Sequence, residues 1–151
     1  AIVAGTTFQD NMDLSLFYDQ ESRKFSEHGY IGLYKDKSIR AIGKLKKTII
    51  AVEVEGKMTY RAESGEAPTP DEICRINEAI RRAEDYGYNL RTISHRYFMV
   101  EKFYPIDFRK SSKNPIQKSK FFNLADMFGY KTMPDTEKIA ADLNGRTWEE
   151  F

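Results

Sequence analysis

Apolar and polar residues alternate on a two-residue period through Tyr30–Ala62, and short polar runs break the alternation. This pattern predicts three or four antiparallel strands in a meander. In Tyr30-Ile31-Gly32-Leu33-Tyr34 the aliphatic residues take one face and the two tyrosines the other. Lys35-Asp36-Lys37 reads as a polar turn. Ile39, Ala41, Gly43 and Leu45 then share a face, with Arg40, Ile42 and Lys44 opposite. A β-branched run follows at Ile49–Glu55, and Glu55-Gly56-Lys57 reads as a hairpin turn into Met58–Ala62.

The period then changes. Thr69 and Glu72 stand in capping-box spacing around Pro70, and Ile73, Ile76, Ile80 and Ala83 form an apolar stripe at helical spacing. This predicts a helix from Pro70 that stops near Gly87. Arg96–Tyr104 reads as an aromatic-rich strand bounded by Pro105, and Ser119–Leu124 as a partner strand after the loop Arg109–Lys118. Pro134–Asn144 carries Ile139, Ala140 and Leu143 on one side and predicts a second helix ending before Gly145. At the amino end Ala1–Val3 and Leu14–Tyr18 read as strands around a polar turn at Gln9–Asp13, or Thr7–Asp19 as an irregular excursion. The expected class is α+β, with a mainly antiparallel sheet or small partly closed barrel and peripheral helices.

A chain of 151 residues, 40% hydrophobic and 31% charged, suits one globular domain with its own core. Because it opens on Ala1 rather than Met, the chain reads as a processed product, a fragment or a module of a larger protein. No window approaches the ~18 apolar residues of a membrane span, and Ala1–Gly5 lacks the basic start of a secretory signal. A lone cysteine, Cys74, cannot close an internal disulfide, which points to a reducing cytoplasmic setting. Its place in the first turns of the helix, beside the apolar stripe, predicts a partly buried packing role.

The net charge of +1 conceals two blocks. Arg91–Lys120 holds eight basic residues against two acids, and Glu63–Leu90 seven acids against three arginines. The basic stretch interleaves its cations with Tyr97, Phe98, Phe103, Tyr104, Phe108, Phe121 and Phe122. Cations replace phosphate counterions and aromatic faces stack on unpaired bases, so the stretch is a candidate nucleic-acid surface. Strand alternation turns at least half of those aromatics inward. Gly32, between Tyr30 and Tyr34, leaves a gap that suits a flat ligand, or else marks a bulge or barrel corner.

Gly29–Tyr34, a polar turn and Ile39–Leu45 with Ile42-Gly43-Lys44-Leu45 together resemble the strand pair of PUA-like domains, in particular their EVE and ASCH branches. The resemblance implies a small, partly closed β-barrel that binds RNA or an extruded or modified DNA base. It also implies a setting as one module of an RNA-modification, restriction or defence protein. The expected contacts are Tyr30, Tyr34, Arg40, Lys44, Arg96, Tyr97, Lys102, Arg109 and Lys110 in one basic, aromatic-lined groove, with nucleic acid as partner and no cofactor.

Two alternatives remain from other classes. Glu55-Gly56-Lys57 supplies the Glu-x-Lys half of a PD-(D/E)xK nuclease signature, with Asp36 or Glu53 as further carboxylates. The other is a protein-interaction domain that presents the aromatic strand face. His28 and His95 lack the spacing of a metal motif, His95 beside Arg96 suits a surface or phosphate-facing place, and no glycine-rich phosphate loop is present. No catalytic or metal-binding residue is assigned. Trp148 reads as the anchor of the carboxyl end.

Overall fold

A computed structural model describes all residues Ala1–Phe151. Its strands are β1 (Ile2–Val3), β2 (Leu16–Gln20), β3 (Tyr30–Lys35), β4 (Ser38–Val54), β5 (Lys57–Ser64) and β6 (His95–Arg109). The helices are α1 (Phe8–Leu14), α2 (Pro70–Glu84), α3 (Leu124–Phe128) and α4 (Thr136–Leu143), and Trp148–Glu150 forms one 3-10 turn. The sheet is open and mixed but mostly antiparallel, in the order β1-β3-β4-β6-β2 with β5 paired to β4. Only the β1–β3 pair is parallel among the strand pairs whose register is defined. The α+β class and the antiparallel meander of Tyr30–Ala62 are as the alternation predicts.

The chain forms two compact units. Unit 1 comprises Ala1–Phe8, Gly29–Lys44 and Lys102–Phe151, and unit 2 comprises Gln9–His28 and Leu45–Glu101. The 17-residue β4 and the 15-residue β6 each give one half to either unit.

In unit 1 the core gathers Tyr34, Ile39, Ile42, Ile106 and Phe108 with Ile139, Ala140 and Leu143 of α4 and with Trp148. Ile39 and Ile42 share this core although strict alternation separates them. The register slips at Leu33/Tyr34, where Ala41 pairs with Leu33 and Ile39 with Tyr34, so Arg40 is an extra residue that resets the faces. Gly43 meets a packing demand: a Cβ there would lie 2.9 Å from the Phe103 ring and 3.0 Å from the Lys102 carbonyl oxygen. Trp148 does anchor the carboxyl end, its indole Nε1–H donating to the Phe108 carbonyl at 2.9 Å.

In unit 2 the core joins Leu14, Leu16, Ile49 and Ala51 to Ile76, Ala79, Ile80 and Ala83 of α2, and to Leu90, Tyr97 and Met99. The capping box is present, with Glu72 N–H donating to Thr69 Oγ1 and Thr69 N–H to Glu72 Oε1. Glu72 is buried and also takes the Lys47 ammonium at 2.8 Å, both side chains being 3% exposed or less. Burial opposes ionisation of Glu72, but the hydrogen bonds from Lys47 and Thr69 outweigh it and hold the carboxyl below its usual range.

Several expectations are corrected. Gln9–Asp13 is helix rather than turn, because Asp10, Asn11 and Leu14 fall on one inward face of α1. The runs Ile39–Leu45 and Ile49–Glu55 are one strand, since Lys46 and Lys47 continue the extended backbone. Pro105 does not end β6; β2 pairs only with His95–Met99, so the later half of β6 has no ladder on β2 for a missing N–H to break. Ser119–Leu124 contributes a single bridge, Ser119 to Ile2, and then turns into α3 through the Asn123 cap. Cys74 is exposed, because at helical spacing Ile76, Ala79, Ile80 and Ala83 take the inward face.

Candidate nucleic-acid interface

The β3–β4 hairpin closes through a two-residue turn at Asp36 and Lys37, both with positive φ (51° and 58°). Turns of this hand usually take Asn or Gly, so two side chains are held here against a backbone preference. Three contacts fix the turn. Arg40 Nε donates to the Lys35 carbonyl at 3.0 Å and Nη2 to the Asp36 carbonyl at 3.2 Å, while Lys110 N–H donates to the Lys37 carbonyl at 2.8 Å.

Asp107 joins this framework to β6. It accepts Ser38 Oγ at 2.7 Å, Arg109 Nε at 2.9 Å and Arg40 Nη1 at 3.4 Å. The hydrogen bonds from Ser38 and Arg109, with the guanidinium charges, hold its carboxyl below the usual range. Arg40 therefore does meet Arg109 and Lys110, distant from it in sequence, at the base of a basic hairpin tip.

The loop that follows is tied down to the same hairpin and to the β1 end of the chain. Ile116 N–H donates to the Tyr34 hydroxyl at 3.3 Å, Ser119 bridges Ile2, and Lys120 exchanges two backbone hydrogen bonds with Ala1, at 2.9 and 2.6 Å. Ser111 and Ser112 are held by the Glu149 carboxylate. Lys37, Lys110, Lys113, Lys118 and Lys120 are thus carried on a backbone tied to this hairpin and to β1, with the Lys120 ammonium over the Phe122 and Trp148 rings. None of the five is in an ion pair.

Other expected contacts lie elsewhere. Tyr30 is half-buried against the unit 1 core and opposite Lys44 in the β3–β4 register, and exposed Lys102 sits 5.0 Å over the Tyr104 ring. Tyr34 is a core residue, 3% exposed, with its ring against Trp148. The gap beside Gly32 is filled: a Cβ there would lie 2.9 Å from Ile39 Cγ2, so no flat ligand fits between the two tyrosines. The glycine accompanies a bulge instead.

Arg96 and Tyr97 belong to unit 2. Arg96 forks onto Glu63 at 2.7 and 2.8 Å and reaches two backbone carbonyls, and its hydrogen bonds keep the Glu63 carboxyl low. Tyr97 is fully buried, and burial pushes its phenol well up from the ordinary value. Two of the three tyrosine rings offered for stacking, Tyr34 and Tyr97, are therefore removed from solvent by the inward face of their strands, and the third, Tyr30, is half-buried. His95 is buried too, its Nδ1 2.6 Å from the Ile93 carbonyl, and faces no phosphate.

No family model, curated protein or solved structure matches the chain.

The Glu-x-Lys motif of the nuclease alternative falls in a turn. Glu55 and Gly56 form the β4–β5 turn, with φ of 51° and 79°, and no three His, Cys, Asp or Glu side chains cluster closely enough to hold an ion. Sequence reasoning did not include Lys37, Lys113, Lys118 and Lys120 among the expected contacts. Their signal was present in the run of lysines, but the fold alone brings the hairpin turn to the loop.

Proposed function

We propose that unit 1 is a non-catalytic nucleic-acid-binding module that holds the phosphate backbone along the ribbon Lys37, Lys110, Lys113, Lys118 and Lys120. The observation that carries this reading is the tethering of the loop to the hairpin at Lys37 and Tyr34 and to β1 at Ile2. Cations fixed in advance bind with less ordering cost than cations on a free loop. Unit 1 carries thirteen lysines and arginines against eight acids, and its surplus is lysine. Phosphate contacts by such side chains position a nucleic acid and make its affinity depend on salt.

The PUA-like resemblance enters this proposal through the β3–β4 hairpin with its bulge and through Gly43, whose close approach to Phe103 is what a tightly curved sheet needs. No helix is long and apolar enough to cross a membrane. An exposed lone thiol at Cys74 favours a reducing, cytoplasmic setting.

The test is fluorescence anisotropy of labelled DNA and RNA over a salt series. Binding should weaken with salt. Replacing Lys113 and Lys118 by Ala should lower the slope of log K on log salt by roughly 0.7–0.9 for each phosphate contact removed. Salt-independent binding, or none to any nucleic acid, would refute the reading.

A further inference from the structure

We propose that β5 is an edge through which two copies of this chain pair, antiparallel and about a two-fold axis at Tyr60. The pairing lies in unit 2 and does not depend on the nucleic-acid reading of unit 1.

The backbone of β5 is open along one side. Its residues Lys57–Ser64 pair with β4 alone, and no backbone hydrogen bond from outside that ladder reaches them. The turn at Glu55 and Gly56 makes Val54 and Lys57 the first hydrogen-bonded pair, and the pairs then alternate between bonded and non-bonded. Met58, Tyr60 and Ala62, opposite Glu53, Ala51 and Ile49, therefore turn their N–H and C=O groups away from β4. Glu53 shows the same alternation from the other strand, since its N–H donates away from β5, to the Arg91 carbonyl at 2.7 Å. A row of unpaired backbone groups on a strand without proline or glycine is a template for one more strand. β2, at the other edge of unit 2, is shorter and closed at its end, where Gln20 N–H donates to Asp19 Oδ1 at 2.8 Å and the Gln20 carbonyl accepts Arg23 N–H at 3.1 Å.

The side chains of β5 select a second copy of the same strand as its partner. Arg61 and Glu63 stand on the solvent face, bonded to Glu21 and Arg96, and alternation puts Lys57 and Thr59 on that face too. Met58 and Tyr60 pack on the opposite face, against the unit 2 core. With Tyr60 opposite Tyr60 of the second copy, Met58 meets Ala62, and every outward N–H and C=O of Met58, Tyr60 and Ala62 finds a partner. In the same register Lys57 stands opposite Glu63 and Thr59 opposite Arg61. A slip of one residue sets outward backbone groups against inward ones and turns the faces over. A slip of two sets Lys57 opposite Arg61 in one direction and Arg61 opposite itself in the other, and like charges directly opposite are unfavourable. Charge therefore singles out the register that the backbone fills most completely.

Both members of the cross-strand ion pair are available. Lys57 is exposed and takes part in no ion pair. Glu63 accepts Arg96 Nε and Thr48 Oγ1 on one oxygen and Arg96 Nη2 on the other, and its side chain is 37% exposed. A carboxylate offers about four acceptor sites, so one is left for an ammonium. The two-fold repeats the Lys57–Glu63 contact on either side of Tyr60, and such an isologous contact closes at a dimer.

The experiment follows the full chain, without nucleic acid, by sedimentation velocity over a concentration series and by amide hydrogen exchange at high and low concentration. A monomer–dimer equilibrium is expected, with the Met58, Tyr60 and Ala62 amides slow to exchange in the dimer and fast in the monomer. Lys57→Glu replaces both attractive contacts by repulsive ones and should raise the dimer dissociation constant at least about tenfold, with the urea unfolding midpoint unchanged. Lys57→Ala should weaken the dimer by a smaller factor, and serves in its place if the first variant does not fold. A monomer at every concentration overturns the proposal. So does a dimer in which those three amides exchange as fast as in the monomer, or one whose dissociation constant is unmoved by either substitution.

Discussion

The two units use charge in opposite ways. Unit 2 holds eleven lysines and arginines against fifteen acids, and eight of the eleven sit in ion pairs within the unit. Unit 1 holds thirteen against eight acids, and only four of the thirteen are paired. Every arginine in the chain is in a pair, so the unpaired cations of unit 1 are all lysines. A surplus charge that no internal partner neutralises costs self-repulsion in the folded state. It is informative for that reason: unit 2 uses its charges to hold itself together, and unit 1 keeps a set that is complementary to a polyanion.

The sharpest break of this comparison is in unit 2, at the buried pair of Lys47 and Glu72. Lys47→Met leaves the carboxylate buried without its ammonium and should cost about 3–5 kcal/mol in urea unfolding. The pH dependence has a definite sign. Glu72 is held below its ordinary value of 4.5, so the pair's contribution is complete above that pH and is lost as pH falls through the folded value. In Lys47→Met burial acts without that counter-ion and raises the carboxyl, so the deficit against the unmodified chain should narrow in acid. A loss below about 1 kcal/mol at neutral pH, the range of an exposed pair, would show that unit 2 does not depend on its internal pairing.

How much of this was legible beforehand differs between the two units for a physical reason. Local signals survive in sequence: the Thr69–Glu72 box, the α2 stripe and the Glu55–Gly56 turn each lie within a few residues and are found where the spacing puts them. Non-local pairings do not. Arg96 reads as a free cation until the fold brings Glu63 to it across 33 positions, and Arg109 shares Asp107 with Arg40 across 67. The aromatic run from Tyr97 to Phe108 reads equally as core or as stacking surface, and burial assigns Tyr97, Phe98, Phe103 and Phe108 to the interior. What burial leaves at the surface is the less conspicuous part of the stretch, its lysines.

A middle-sized effect is expected at Gly43 in unit 1. Any Cβ meets the Phe103 ring and a backbone oxygen at 3.0 Å or less, and the oxygen cannot rotate away. Gly43→Ala should therefore cost about 1–3 kcal/mol as the strands shift to relieve the overlap. Unchanged stability would mean that β4 and β6 part easily here, and would weaken the case for a curved sheet behind the ribbon.

The smallest effect on stability should come from the ribbon itself, and it separates the two uses of charge most cleanly. Lys113 and Lys118 are exposed, lie in no ion pair and belong to no strand or helix. Their replacement by Ala breaks no internal contact of the kind that Lys47 makes, so the unfolding free energy should stay within about 0.5 kcal/mol of the unmodified value. A slight gain is the expected direction, because removing two like charges from a unit with five surplus cations relieves repulsion. The gain should shrink as salt is added, since exposed charges are screened beyond about 10 Å at 0.1 M. A clear loss of stability at low salt would assign these lysines to the fold and remove the ground for treating them as a surface kept for a partner.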